Sequence, residues 1–174
     1  PGYTDEVYKK LKKYNWEVSY NPEFISQGQI IKDQLYPDMV LIGQSNEKTG
    51  KWLEKFYKKL CNNVPVFNRM DRISAEITKI SLNCFLTTKI SFANMIGDIC
   101  RISGADEDKV LKAIGSDSRI GQKYLKYGFG YGGPCFPRDN RTLYKYAEKI
   151  GYDALISKAS DESNDQHLRF QVEK

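Results

Sequence analysis

Cys135 is the residue whose neighbours best equip it for covalent chemistry. It follows the stretch GFGYGG (Gly128 to Gly133), sits between Pro134 and Pro137, and has Arg138 and Asp139 directly behind it. A cation beside a cysteine favours the thiolate, the form that attacks carbonyl carbon. The flanking prolines stiffen the loop that presents it. Cys84 and Cys100 lie in apolar helical sequence and read as core. Gly128, Gly130 and Gly133 also satisfy the spacing G-x-G-x-x-G of a dinucleotide turn. Such a turn follows a strand and opens a helix, so that a pyrophosphate meets free N–H groups. KYLKY before the glycines is not a clean strand, and Pro134 and Pro137 remove two of those N–H groups. The glycines therefore read as bare backbone that lies close to a ligand and presents Cys135.

A second set of polar residues supports this chemistry. Glu76, Lys79 and Asn83 stand at i, i+3 and i+7 in an otherwise apolar helical stretch and share one of its faces. One reading is a solvated stripe. The other is that a lysine and an amide one turn apart stabilise the oxyanion formed when a thiolate adds to a carbonyl.

The elements that must position these residues follow from patterning. Val7, Leu11 and Tyr14 recur at helical spacing after Thr4 and Asp5, a cap and first-turn pair. WEVSY alternates like a strand until Pro22 bars further pairing. DMVLIG and VPVFN read as short strands on either side of an amphipathic helix, SNEKTGKWLEKFYKKL, with Trp52, Phe56 and Leu60 on one face. Strands alternating with helices imply a parallel α/β sheet.

After Asn68 no strand pattern appears. Residues 71–102 hold no proline and one glycine, and their apolar residues occupy more than one face, so this long helix is expected to be covered on both sides, in part by a second copy of the chain. SGADEDKVLKAIG predicts a capped helix ending at Gly115, a further helix restarts at Pro137, and SDESNDQHLRFQVEK closes as a helix. The expected organisation is α/β plus all-α. Residues 1–69 form the C-terminal portion of a Rossmann-like parallel sheet, and residues 70–174 a helical dimerisation domain with one long buried helix.

Bulk composition narrows the function. The net charge of +5 comes largely from lysines interleaved with glutamates along helical faces, which reads as solvated surface rather than a nucleic-acid patch. Four cysteines without a C-x-x-C pair and a single histidine give neither a disulfide framework nor zinc-ligand spacing. A reducing cytoplasm is the expected compartment. No apolar run is long enough to span a bilayer.

Four segments, in order, resemble the UDP-glucose/GDP-mannose dehydrogenase family. YNPEFISQG, followed by YPDMVLIG, is similar to its N-P-E-F-L-x-E-G segment; AEITKISLN to its A-E-x-x-K-x-x-x-N helix; SDSRIG to its D-x-R-I-G turn; and GFGYGGPCFPRD to its catalytic-cysteine loop. The resemblance implies a chain that holds the end of an NAD-binding domain and a central dimerisation domain. The dinucleotide fingerprint and a third domain would lie elsewhere, so this stretch alone is not expected to turn over substrate. The implied reaction converts the C6 alcohol of a nucleotide sugar to a carboxylate with two NAD, through a cysteine thiohemiacetal and thioester. UDP-glucose is the leading substrate, with GDP-mannose or a UDP-N-acetylhexosamine as alternatives. A non-catalytic helical dimerisation module is the alternative of another class.

The same resemblance implies roles for single residues. Cys135 would be the nucleophile, Lys79 and Asn83 the oxyanion stabilisers, Asp139 the support of a catalytic water, and Glu23 its acid/base partner. Glu23, Phe24, Lys79, Asn83, and Lys126 through Gly132 (Lys126, Tyr127, Gly128, Phe129, Gly130, Tyr131, Gly132) would line the sugar nucleotide, with Arg119 reaching the partner's substrate across a homodimer. Gln27, Cys135 and Arg138 would face the NAD cofactor. Three positions depart from the family's usual pattern: Gln27 stands for a glutamate, Arg138 for a lysine and Pro134 for a serine. No metal is expected.

Overall fold

The computed structural model describes residues 1–26 and 28–173. The chain divides into two compact units, Pro1–Lys79 and Ile80–Lys174. This division falls inside the long helix, whereas the change in sequence character comes at Asn68.

In the first unit, strand β1 (Met39–Gly43) runs parallel to β2 (Val66–Met70), in register from Met39 opposite Val66 to Gly43 opposite Met70. Helix α3 (Glu47–Leu60) makes the crossover, as parallel neighbours require. Val40, Leu41 and Ile42 are all buried, which is why β1 is a continuous apolar run rather than an alternating one. Asn46 caps α3 by accepting the Thr49 N–H at 2.9 Å, and Glu47–Lys51 and Glu54–Lys58 pairs run along its outer face. Trp52 and Phe56 share a face as the spacing predicts, and their rings stack at 6.1 Å, but Trp52 remains 64% exposed.

Two expectations for this unit need correction. Trp16–Ser19 form no strand; only Tyr20 bridges to Gly43, antiparallel, through hydrogen bonds of 2.8 and 2.7 Å. Strand-forming residues give a strand only against a neighbouring ladder, and among the described residues none flanks Trp16–Ser19. Nor does Thr4 cap the first helix, α1 (Tyr3–Leu11), which continues as a 3-10 turn over Lys12–Tyr14. Gly2 occupies the cap position with φ 93° and has no side chain to offer. The Glu76 carboxylate caps α1 instead, accepting the backbone N–H groups of Gly2 and Thr4 and the Thr4 hydroxyl. Asp5 turns to Arg72, 2.6 Å away. A short helix, α2 (Ile30–Leu35), precedes β1.

The long helix α4 spans Arg72–Ser103. Asp71 starts it by accepting the Ser74 N–H and hydroxyl, bonds that hold its carboxyl below the usual carboxylate range. Its first two turns belong to the first unit and the rest to the second.

The second unit adds α5 (Glu107–Ser116), α6 (Phe136–Lys149) and α7 (Leu155–Val172). Asp106 caps α5, which runs one residue past Gly115 rather than ending there; Gly115 is buried against the Gln122 side chain. Helix α7 begins at Leu155, ahead of SDESN. The hydrophobic centre is small: Ala93, Leu111 and Leu125, with Ile96, Ile114 and Tyr127 packed on it. Much of the remaining interior is polar, including Thr87, Ser91, Asn94, Asn140, Asn164 and His167. On α4, Ala93 and Cys100 face inward, while Phe85, Phe92, Met95, Ile99 and Ile102 form an exposed apolar stripe at three-, four- and seven-residue spacing. No helix among the described residues is long and apolar enough to cross a membrane.

Candidate active site

Cys135 is exposed and stands at the N-cap position of α6, where its carbonyl accepts the Asp139 N–H at 2.8 Å. Pro137 falls in the first turn, where a missing N–H costs nothing. Two consecutive residues near the start of α6 fasten it to α4. Asp139, 5% exposed, accepts the Asn83 amide at 2.7 Å. Asn140, fully buried, donates to the Thr87 hydroxyl at 2.9 Å and to the Tyr131 hydroxyl at 3.1 Å. Asn83 and Thr87 are one helical turn apart, so a single face of α4 meets adjacent residues of α6. Arg138 lies outside this seam and donates to Asp139 at 2.9 Å. Asp139, and to a lesser degree Cys135, raise the pKa of the Arg138 guanidinium above its ordinary value.

The glycine loop has three kinds of glycine. Gly130 packs so closely that a Cβ would lie 2.5 Å from Asn164 Oδ1. Gly133 has φ +74°, a conformation side chains disfavour. Gly128 and Gly132 face open space. Tyr131 is buried, and that burial, with Asp161 close by, pushes its phenol well above the usual range. Phe129 projects outward and Lys126 is exposed, while the Tyr127 ring packs over Gly97. Arg119 is exposed and paired with Asp117 at 2.8 Å.

The first unit gathers Glu23, Phe24 and Lys79. The Lys79 ammonium donates to the Glu23 carbonyl and lies 4.3 Å from the centroid of the Phe24 ring. A cleft beside them is lined by Asn21, Pro22, Glu23, Phe24, Gln34 and Tyr57, among others. Asn21 holds its wall, donating to the Leu41 carbonyl at 2.9 Å and accepting the Tyr57 hydroxyl at 2.7 Å. The Glu23 carboxylate is exposed, 3.5 Å from the Gln34 amide. Glu76, grouped with Lys79 and Asn83 by spacing, is spent on capping α1. Gln27 lies outside the described residues.

Sequence reasoning missed Asn94, Asp98, Asn164 and His167, which brace the glycine loop from beneath. Ser157, Ser160, Asn164 and His167 recur at helical spacing on α7 and are all buried, so the inward face of that helix is polar. Apolar periodicity cannot detect such a face. The signal available was the lone histidine, three residues after Asn164.

For a dinucleotide, the structure supplies a frame without the grip. The parallel β1–α3–β2 unit has the connectivity of a nucleotide-binding domain. The one G-x-G-x-x-G of the chain lies in the cysteine loop, where Gly130 is packed against Asn164 and no strand precedes it. Of the residues expected to face a cofactor, Cys135 and Arg138 stand together at the start of α6.

Two family models match the chain. Residues 73–166 match the central domain, and residues 2–61 the NAD binding domain, of the UDP-glucose/GDP-mannose dehydrogenase family. Among curated relatives, a UDP-glucose 6-dehydrogenase of Pseudomonas aeruginosa is 38% identical over 90% of this chain and 34% of its own length. One from Rickettsia felis is 37% identical over 97% of this chain and 38% of its own. A UDP-glucose dehydrogenase from Pyrobaculum islandicum superposes with a TM-score of 0.81 at 36% identity, over 86% of this chain and 34% of that one. The chain thus spans roughly a third of the length of the relatives it matches.

Proposed function

Because the chain belongs to the UDP-glucose/GDP-mannose dehydrogenase family, we propose that it is part of an NAD-dependent enzyme oxidising UDP-glucose to UDP-glucuronate. The observation that carries this reading is the seam beneath Cys135. A buried carboxylate, Asp139, in the first turn of the helix that presents an exposed thiol, accepts the amide of Asn83 on α4 at 2.7 Å. NAD, when bound, supplies the hydride acceptor.

In this reading Cys135 adds to the carbonyl carbon of the C6 aldehyde, forming a thiohemiacetal that, once oxidised to a thioester, is released by water as the carboxylate. Lys79 and Asn83, one turn apart on α4, stabilise the oxyanion of the adduct. Asp139 orients the water and Glu23 handles its proton. Gly128 and Gly132 offer bare backbone to the sugar nucleotide, and Arg138 stands toward the cofactor. The exposed stripe from Phe85 to Ile102 forms a homodimer interface, from which Arg119 reaches the partner's substrate. The names of the relatives and the UDP-glucose dehydrogenase superposition favour UDP-glucose over GDP-mannose or a UDP-N-acetylhexosamine. The compartment is a reducing cytoplasm, where the four free thiols are stable.

The test is NADH absorbance, with a panel of nucleotide sugars, in a protein that joins this chain to the remaining domains of the family. UDP-glucose is expected to give the highest kcat/KM, and Cys135→Ser to abolish net NADH formation. Undiminished turnover in that variant would remove the nucleophile assignment.

A further inference from the structure

The loop in front of Cys135 is held at both ends of the span Gly128–Tyr131 by side chains from two different helices. At the far end, Asn164 on α7 accepts the Tyr131 N–H at 2.8 Å and donates to the Tyr131 carbonyl at 3.1 Å. At the near end, Asn94 on α4 accepts the Gly128 N–H at 3.1 Å. The Gly128 carbonyl is taken by His167 on α7, whose Nε2 lies 2.8 Å from it. A carbonyl oxygen only accepts, so Nε2 carries a hydrogen. Nδ1 lies at hydrogen-bond distance, 2.8 Å, from Asp98 Oδ2, one turn beyond Asn94 on α4. His167 is 2% exposed. Tyr127 closes the remaining side: its ring meets the imidazole edge-on at 5.5 Å, its hydroxyl donates to Asp98 Oδ1 at 2.8 Å, and Gln171 donates to that hydroxyl at 2.6 Å.

We infer that His167 is a positioning residue for the cysteine loop: its Nε2–H fixes the Gly128 carbonyl, and Asp98 fixes the ring that carries it. Without this bond the carbonyl would face a buried imidazole with no donor, and an unmet buried acceptor is costly enough to move the backbone. The loop is therefore shaped before any ligand arrives. Its value to catalysis rests on the reading of Gly128–Gly132 as the wall of the sugar-nucleotide site, since a preformed wall lowers the ordering cost of binding.

Two substitutions separate the two ring nitrogens. His167→Gln places an amide N–H where Nε2 stood, toward Gly128; His167→Asn places one where Nδ1 stood, toward Asp98. Amide exchange of Gly128 and Tyr131 is followed by NMR on the 174-residue chain, with Cys135 alkylation by iodoacetamide read by mass spectrometry. His167→Asn is expected to speed Gly128 exchange by about tenfold and to change the Cys135 rate, and His167→Gln to stay within about threefold of the parent. A role confined to the Asp98 contact would reverse that order, and equal effects in both variants would equally overturn the inference. Should His167→Asn fail to fold, Asp98→Asn decides. Its amide can donate to Nδ1 and so still hold the ring with Nε2–H on the carbonyl, so Gly128 should stay protected, and loss of protection there would overturn the assignment. Neither sugar nucleotide nor NAD enters these measurements, so their failure leaves the dehydrogenase reading untouched, and failure of that reading leaves the brace intact.

Discussion

Replacing Gly97 by alanine sets two opposing effects against each other. Gly97 lies in the interior of α4, where alanine is favoured over glycine by about 1 kcal/mol. A Cβ there would lie 1.9 Å from Cδ2 of Tyr127. The ring cannot swing away cheaply, because its hydroxyl is tied to Asp98 and Gln171 and the Arg101 guanidinium lies 4.6 Å from its centroid. Overpacking of this kind costs about 1 to 3 kcal/mol, and displacing the ring sacrifices at least one hydrogen bond, about 1 kcal/mol. The clash wins, with a net loss of about 2 kcal/mol after the helical gain. Gly115 is the matched control. It too is helical, but the nearest atoms to its Cβ would be the amide end of Gln122, at 2.7 to 2.9 Å, a flexible group that can rotate away by giving up its hydrogen bond to the Lys112 carbonyl. That bond, about 1 kcal/mol, offsets the helical gain, so Gly115→Ala should be close to neutral. Urea unfolding followed by circular dichroism reads both. A Gly97→Ala midpoint equal to or above the parent's would refute the reasoning, because helix propensity would then outweigh the packing of Tyr127.

Burial raises the Cys84 thiol from its ordinary value of 9.0 to about 11. Between those values the unfolded chain binds fewer protons than the folded one, so stability falls as pH rises from 9 to 11; below pH 9 the thiol adds no slope. The full swing is about 3 kcal/mol, and Cys84→Ala should flatten the profile by that order in that window alone; an unchanged slope would show that Cys84 is not the group responsible. The apolar stripe on α4 predicts a dimer by light scattering at micromolar concentration, and Phe92→Lys with Ile99→Lys should give the monomer mass. A parent that is already monomeric at that concentration would remove the interface.

The site was legible in proportion to how local its signals are. The Cys135 loop and the Lys79 to Asn83 spacing are short-range patterns, and α4 delivers both polar residues on the helix that the spacing requires. Glu76 obeyed the same spacing and proved otherwise occupied, because a cap for α1 is drawn from whichever carboxylate folding brings near, here 72 residues away from Thr4. WEVSY failed for a related reason: a strand is a relation between two segments, and only Tyr20 finds a partner in Gly43.

By itself, then, the sequence determined the α/β and helical halves, the long helix, and the thiol-bearing loop, since apolar periodicity, caps and proline act within a few residues. Only the tertiary structure decided what holds that loop. Asn94, Asp98, Asn164 and His167 come from helices separated by more than fifty residues of chain, and each looks in sequence like an ordinary polar residue on a helix. Burial turns them into the partners of Gly128 and Tyr131, because backbone groups shut away from water must be satisfied by whatever donors and acceptors the packing supplies.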